Sequence, residues 1–177
     1  MSEKLIYTIG YGGLKLSDFI DLLKTYSIVN LVDVRRWASS SRNPDFSGSS
    51  LETELRKARI TYYWFPLLGG YRKFGVDIED HGIGKCFESN GFRAYATYIT
   101  RAPVLKPYLD RLVEIASERL TALMCKERCP WLCHRKILSD YLVAKGFRVI
   151  HVLDKNRVIE HYLSKCAVIK NNELEYT

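Results

Sequence analysis

The chain has 177 residues, of which 47% are hydrophobic and 27% are charged, a mixture typical of a folded globular protein and not of a disordered one. Its formal net charge of +7 at pH 7 suits an anionic partner, although many basic proteins bind no nucleic acid. The N-terminal residues lack the apolar segment of a signal peptide, and no apolar run approaches the roughly 18 residues of a membrane helix. We therefore expect a cytoplasmic protein with no membrane partner, folded as one domain over residues 1–177.

Strand and helix signals alternate along the chain. Runs rich in β-branched and aromatic residues predict five strands, at residues 5–9, 29–34, 60–65, 120–124 and 148–153. Apolar residues at helical spacing predict helices that begin near Ser17, Ser49, Phe92, Val104 and His134. The second of these helices starts with Ser49-x-x-Glu52, a pattern typical of a capping box. Residues 154–157 have the composition of a turn into a short edge strand.

This alternation predicts an α/β fold. We expect a three-layer sandwich with a mainly parallel sheet of about five strands, helices on both faces and a short C-terminal edge strand. Ligands of such sheets bind beyond the carboxyl ends of the strands. The helix-to-strand loops of this chain are chemically plain, whereas the strand-to-helix loops contain most of its reactive side chains. Those loops are residues 10–13, 35–50, 66–70 and 125–135, so we expect a functional cleft at that edge.

The first two of these loops indicate anion binding. Glycines of residues 10–13 can bring backbone N–H groups close to a phosphate, although the spacing does not complete a dinucleotide-binding motif. Arginines in the second loop, among them Arg35 and Arg42, can grip a phosphate or carboxylate bidentately, with Asn43 beside them. The competing interpretation is a buried ion pair of Asp33 with Arg35, followed by a solvated loop.

The fourth loop fits three chemistries, of which the first two depend on its cysteines. Cys129 and Arg135 have the C-x5-R spacing of cysteine phosphatases, but Pro130 and Trp131 cannot form a glycine-rich phosphate cradle. A metal site would use the spacing C-x3-C-x3-C-H, which matches neither zinc knuckles nor the usual iron–sulfur motifs.

The third chemistry is the one that we favour on physical grounds. Glu127 acts as an acid, base or nucleophile, while His134 and Arg135 bind an anion at the positive end of the helix that they begin. Cys125 and Cys133 are then small packing residues, as free cysteines often are.

The total number of cysteines indicates little disulfide bonding. There are five of them, an odd number, and no export signal accompanies them, so a disulfide framework is not expected. Cys86 and Cys166 have no role that the sequence predicts.

Several motifs occur in an order that resembles the prokaryotic "domain of unknown function 488" family over about residues 5–161. They are Thr8-Ile9-Gly10-Tyr11, Leu31-Val32-Asp33-Val34-Arg35, residues 41–46, Leu67-Leu68-Gly69-Gly70, residues 92–98, Leu123-Met124-Cys125-Lys126-Glu127 and Cys133-His134-Arg135. The resemblance implies an α/β domain whose motifs cluster at one cleft, and it brings no established reaction. Cys129 and Trp131 are departures from the usual form of the last loop.

We therefore expect an enzyme that acts on a phosphorylated or nucleotide-like anionic substrate, with no metal or other cofactor. Glu127 or Cys125 would carry the chemistry. The predicted substrate-binding residues are Tyr11, Arg35, Arg42, Asn43, Tyr95, Cys133, His134 and Arg135. One alternative is a non-catalytic nucleic-acid-binding module that uses exposed aromatics such as Trp37 and Trp131. Another is a metal- or redox-sensing protein built on Cys125, Cys129 and Cys133.

Overall fold

The computed structural model describes residues 3–177, and a six-stranded sheet forms the centre of this part of the chain. The strands are β1 (Lys4–Gly10), β2 (Asn30–Asp33), β3 (Thr61–Trp64), β4 (Thr121–Cys125), β5 (Phe147–Asp154) and β6 (Arg157–Glu160). Their order across the sheet is β3-β2-β4-β1-β5-β6. The first five run parallel, and β6 pairs antiparallel with β5 at the edge. The predicted parallel sheet and its C-terminal edge strand are both confirmed.

Helices cover both faces of the sheet, as predicted for a three-layer α/β fold. They are α1 (Leu16–Thr25), α2 (Gly48–Lys57), α3 (Asn90–Arg101), α4 (Lys106–Glu118) and α5 (Arg135–Ala144). Alternation along the buried strands divides the core in two, since Leu31 packs with the residues of α1 and α2 while Val32 packs with those of α3, α4 and α5. Among the helices within residues 3–177, none is both long and apolar enough to cross a membrane.

The connections leave two neighbouring strands in opposite directions, which determines where a cleft can form. The chain passes from β1 through α1 to β2, on one side, and from β4 through α5 to β5, on the other. Because α1 and α5 pack on opposite faces of the sheet, the loops after the adjacent strands β1 and β4 turn to opposite faces. This is the switch point at which parallel sheets bind ligands.

The predicted capping box of α2 is wrong. The helix begins at Gly48, one residue before Ser49, and its N-cap residue is Ser47. The Ser47 hydroxyl accepts a hydrogen bond from the Ser40 N–H (3.1 Å) and no bond from the helix backbone. Ser47 therefore attaches the preceding loop to the helix. The two bonded residues are seven apart in sequence, and the capping-box pattern does not predict such a contact.

The chain after β6 forms a hairpin that the sequence did not predict. Strands β7 (Ala167–Lys170) and β8 (Glu173–Tyr176) pair antiparallel with each other, and Leu174 and Tyr176 pack into the same core as α3 and α5. A disulfide joins Cys86 to Cys166 just before this hairpin, so the expectation that these cysteines are unpaired is wrong. The partners lie 80 residues apart, and only the docking of the hairpin brings them together.

We expect the Cys86–Cys166 disulfide to contribute about 2–4 kcal/mol to the free energy of unfolding, because it closes a long loop in the unfolded chain. The measurement is denaturant unfolding with and without a thiol reductant. The double variant Cys86→Ser/Cys166→Ser is the control and should be indifferent to the reductant. Equal stabilities of the oxidised and reduced wild type would contradict this expectation.

Candidate functional site

A cavity of about 500 Å³ opens at the carboxyl edge of the sheet, beside the ends of β1 and β4. Its walls come from the loops after β1, β2, β3 and β4 and from the start of α3. The lining includes most of the predicted site residues, namely Tyr11, Arg35, Arg42, Tyr95, Cys125, Glu127, Cys133 and His134. Residues that are far apart in sequence thus meet in one cleft.

Two of the predicted residues do not line the cavity. Asn43 lines a different depression, beside α1 and α2, because the 3-10 turn that follows it buries Phe46 in the core on that side. Arg135 lies beneath the cavity, with only 1% of its surface exposed. Its role in the structure is to hold neighbouring groups in place.

Arg35 combines both interpretations of the second loop, since it lines the cavity and forms a buried ion pair. Its Nη2 lies 2.7 Å from Oδ2 of Asp33, and its Nε donates to Oδ1 of the same carboxylate at 2.9 Å. Its Nη1 donates to the Tyr11 hydroxyl at 3.3 Å. Burial opposes the charge on Arg35, but the hydrogen bond and charge of Asp33 outweigh it and raise the pKa of the guanidinium. Most N–H groups of Arg35 therefore bind partners within the protein and are not available to a ligand.

Other cations of the lining have fewer internal partners. Arg36 is partly held, with its Nη2 3.5 Å from a carboxylate oxygen of Asp77 and its Nη1 donating to the Tyr71 carbonyl at 2.9 Å. Arg42 and Lys126 are exposed and form no ion pair within residues 3–177. Within the same range, Glu127 is the one acidic side chain of the lining. The cavity therefore carries an excess of positive charge.

An aromatic rim, formed by Trp37 and Tyr71, lies at the cavity mouth. Their ring centroids are 5.9 Å apart, and the Arg36 guanidinium lies 5.1 Å from the Trp37 ring. Trp37 is 59% exposed and Tyr71 is 74% exposed, so both rings offer free faces. Tyr71 was not predicted as a site residue, and Arg36 was not singled out among the arginines of the second loop. Their positions directly after β2 and after the Gly69-Gly70 pair were the signals that could have identified them.

Cys133 and His134 form a hydrogen-bonded pair beneath this rim. His134 Nε2 lies 2.8 Å from the Val34 carbonyl, which can only accept, so this nitrogen carries a proton. His134 Nδ1 then faces the Cys133 sulfur at 3.5 Å. The backbone N–H of Arg135 also donates to this sulfur, at 3.5 Å. The pair has the geometry of a thiol beside a base whose ring is oriented by a third group.

The two cavity thiols differ in acidity. Burial disfavours the Cys133 thiolate, but interaction with Cys125 and the charges of His134 and Arg135 outweigh it, so the pKa of Cys133 lies well below its ordinary value. Burial and the neighbouring Cys133 raise the pKa of Cys125 well above the ordinary value. Of the two, Cys133 is the better candidate for a thiolate. The prediction of a catalytic Cys125 stays a prediction.

Close backbone approaches explain two of the glycines. A Cβ atom on Gly70 would lie 2.9 Å from His134 Nδ1, so only glycine leaves room for the ring in its present position. A Cβ atom on Gly10 would lie 1.9 Å from the Glu127 carbonyl oxygen.

Tyr95 contacts the His134 ring edge-on, with a centroid distance of 5.1 Å, while the Tyr95 hydroxyl donates to the Leu68 carbonyl at 2.6 Å. These contacts fix the orientation of His134.

Arg135 is a buried cation without a carboxylate partner within residues 3–177. It donates to the Thr8 hydroxyl at 3.0 Å and to the Glu127 carbonyl, while its Nε has no hydrogen-bond partner. Through its bond to the Glu127 carbonyl, Arg135 holds the start of the β4–α5 loop, and the Cys125 sulfur lies 4.0 Å from the same carbonyl. The Glu127 side chain remains exposed at the cavity, where its role as acid or base stays a prediction.

A buried hydrogen-bond chain continues from Thr8 to the hairpin. The Thr8 hydroxyl lies 2.6 Å from His151 Nδ1, and His151 Nε2 lies 2.9 Å from His161 Nδ1. His161 Nε2 lies 2.8 Å from Asp140 Oδ1, and the Tyr176 hydroxyl donates to Asp140 Oδ2 at 2.7 Å. We call these residues the polar chain. Since the Asp140 carboxylate can only accept, His161 donates to it through its Nε2–H.

The cysteine-based alternatives receive little geometric support. Cys129, the thiol of the C-x5-R interpretation, is free but does not line the cavity, where Cys125 and Cys133 lie instead. Among residues 3–177, no three His, Cys, Asp or Glu side chains are arranged to hold a metal ion.

The geometry defines an α/β protein with a cationic cavity that contains a thiol, and comparison with known proteins places it in a family. A family model described as "Domain of unknown function DUF488" matches residues 15–142. The match covers more than half of the chain, so the protein belongs to this family. No curated protein and no solved structure matches the chain.

The polar chain predicts how stability depends on pH. Burial, with the charges of His161 and Arg135, lowers the pKa of His151 from 6.5 to about 3. Below the ordinary value the unfolded chain binds a proton that the folded protein does not bind. The free energy of unfolding should therefore fall by roughly 2 kcal/mol between about pH 6.5 and pH 5 on account of His151.

Urea unfolding across that pH range measures this effect, with His151→Gln as the comparison. The variant should show a shallower dependence of stability on pH than the wild type, whatever its stability at neutral pH. Parallel curves would show that His151 is not the group responsible.

Proposed function

We propose that the protein is an enzyme that acts on a phosphorylated or nucleotide-like anionic small molecule bound in the cavity at the carboxyl edge of the sheet. The observation that carries the proposal is the charge of the lining. Arg35, Arg36, Arg42 and Lys126 contribute to it, against the single carboxylate of Glu127 within the described residues. An anion that entered would meet donors on more than one wall.

The individual cations suit different tasks. Asp33 and Asp77 partly neutralise Arg35 and Arg36, which favours a role in shaping the wall. Arg42 and Lys126 have no such partner in the described chain, and they are the residues that we assign to the substrate anion. Guanidinium and ammonium groups make charge-assisted hydrogen bonds to phosphate oxygens.

The size and rim of the cavity support a small molecule of the nucleotide class. A volume of about 500 Å³ is within the usual range of small-molecule sites. The exposed faces of Trp37 and Tyr71 provide a surface for stacking a planar ring. A nucleotide-like ligand would place its phosphate near Arg42 and Lys126 and its ring against the rim.

The nucleic-acid-binding alternative shares some of these features. Trp37 and Trp131 are both exposed, as that alternative requires. The cationic residues of the site, however, line a concave cavity and not an open face along which a polymer could lie. We therefore favour a small-molecule substrate.

Ligand-dependent thermal stabilisation tests the proposal, with inorganic phosphate and nucleoside monophosphates as probes. Both should raise the melting temperature of the wild type. Arg42→Ala and Lys126→Ala should each weaken binding by about tenfold, because each removes a charge-assisted hydrogen bond.

Arg56→Ala is the matched control, since it removes the same charge from an exposed position on α2, away from the cavity. It should leave ligand binding unchanged. The proposal fails if no anion stabilises the wild type, or if Arg56→Ala weakens binding as much as Arg42→Ala. Tighter binding of single-stranded oligonucleotides than of mononucleotides would favour the nucleic-acid-binding module instead.

A further inference from the structure

We propose that Cys133 is the nucleophile of this site and that it takes the phosphoryl group from a phosphate monoester. This inference rests on the proposed function, since it needs the anionic substrate to bind in the cavity. It adds the reacting atom and the reaction class to that function. It also replaces Cys125 by Cys133 as the reactive thiol.

The position of the Cys133 sulfur is the first argument. Cys133 lines the cavity and precedes His134, the N-cap residue of α5, and its sulfur accepts the backbone N–H of Arg135 at 3.5 Å. A helix of ten residues presents the positive end of its dipole there. A negative charge on sulfur is stabilised in such a place, and the thiolate is the reactive form of cysteine.

His134 is held in an orientation that lets it accept the thiol proton of Cys133. The Nε2–H of His134 donates to the Val34 carbonyl at 2.8 Å, so Nδ1 carries no proton and faces the Cys133 sulfur at 3.5 Å. Gly70 and Tyr95 confine the ring from the other sides. His134 can therefore take the thiol proton and remain beside the thiolate as its counter-ion.

The charge on Arg135 is the third argument. Its guanidinium is 1% exposed and has no carboxylate within the described chain, an arrangement that is costly for an isolated cation. A thiolate at Cys133 places a negative charge beside this guanidinium. The same guanidinium, through the Glu127 carbonyl, fixes the loop that brings Glu127 to the cavity.

The reaction needs no reagent other than the phosphate monoester and water. The Cys133 thiolate attacks the phosphorus atom, an S–P bond forms, and the P–O bond to the alcohol breaks. Glu127 donates a proton to the departing alkoxide. Water then attacks phosphorus and gives a proton to Glu127, the S–P bond breaks, and inorganic phosphate and the thiolate are released.

Thiol labelling tests whether Cys133 is reactive. Iodoacetamide should alkylate Cys133 of the wild type faster than Cys125 or Cys129 at about neutral pH, with mass spectrometry of peptides as the readout. His134→Asn should slow the labelling of Cys133 by about tenfold or more. The neighbours that favour the Cys133 thiolate against its burial are Cys125, His134 and Arg135, which together lower its pKa.

Trapping of the intermediate tests the reaction class. Acid quenching during turnover of a chromogenic aryl phosphate should reveal a peptide with one phosphoryl group on Cys133. Cys133→Ser should lower turnover by about a hundredfold or more, with the melting temperature recorded to confirm folding. Cys129→Ser, a free cysteine outside the cavity, should leave turnover unchanged.

The outcomes separate this inference from the proposed function. If phosphate slows the labelling of a fast-reacting Cys133, and the phosphorylated peptide is trapped, both the inference and the proposed function are supported. If phosphate binds but Cys133 labels no faster than Cys129, or if Cys133→Ser retains full turnover, the nucleophile is wrong while the anion site stands. If neither phosphate nor an aryl phosphate binds, the anionic substrate itself is wrong.

Discussion

The charge on Arg135 lies beneath the cavity, buried and without a carboxylate beside it in the described part of the chain, and the surrounding residues are arranged to satisfy it. A buried guanidinium is costly unless its N–H groups find acceptors. Thr8 of β1 and the Glu127 carbonyl after β4 supply two of them, so the two central strands are fastened to α5 at the point where their loops diverge. The site is therefore built around this guanidinium.

The polar chain extends this constraint across the molecule. It joins Arg135, at the start of α5, to Asp140, one and a half turns along the same helix, through side chains of β1 and β5 and through His161. A buried cation and a buried anion thus compensate each other over several polar groups without direct contact. Tyr176 and Ser164 complete the hydrogen bonding of the carboxylate, and the C-terminal hairpin is thereby attached to the helix that carries the site.

The sequence was sufficient for the parts of the fold that depend on local patterns. Runs of β-branched and aromatic residues identified the five parallel strands, and the rule that loops at their carboxyl ends carry function identified most of the cavity lining. Asn43 lies elsewhere because Phe46 is drawn into the core, which composition alone does not show. Two contacts depend on tertiary docking, so no local sequence pattern predicts them: the disulfide of Cys86 with Cys166 and the contact of His151 with His161.

The match to the family ends at residue 142, and this boundary has an evolutionary consequence for the polar chain. The matched region contains both charged ends, Arg135 and Asp140, while His151 and His161 lie beyond it. Other polar groups in place of the histidines would preserve the compensation, provided that they join the two charges. A relative with an apolar segment in their place would need to lose both charges together, so we expect the two positions to change as a pair among members of the family.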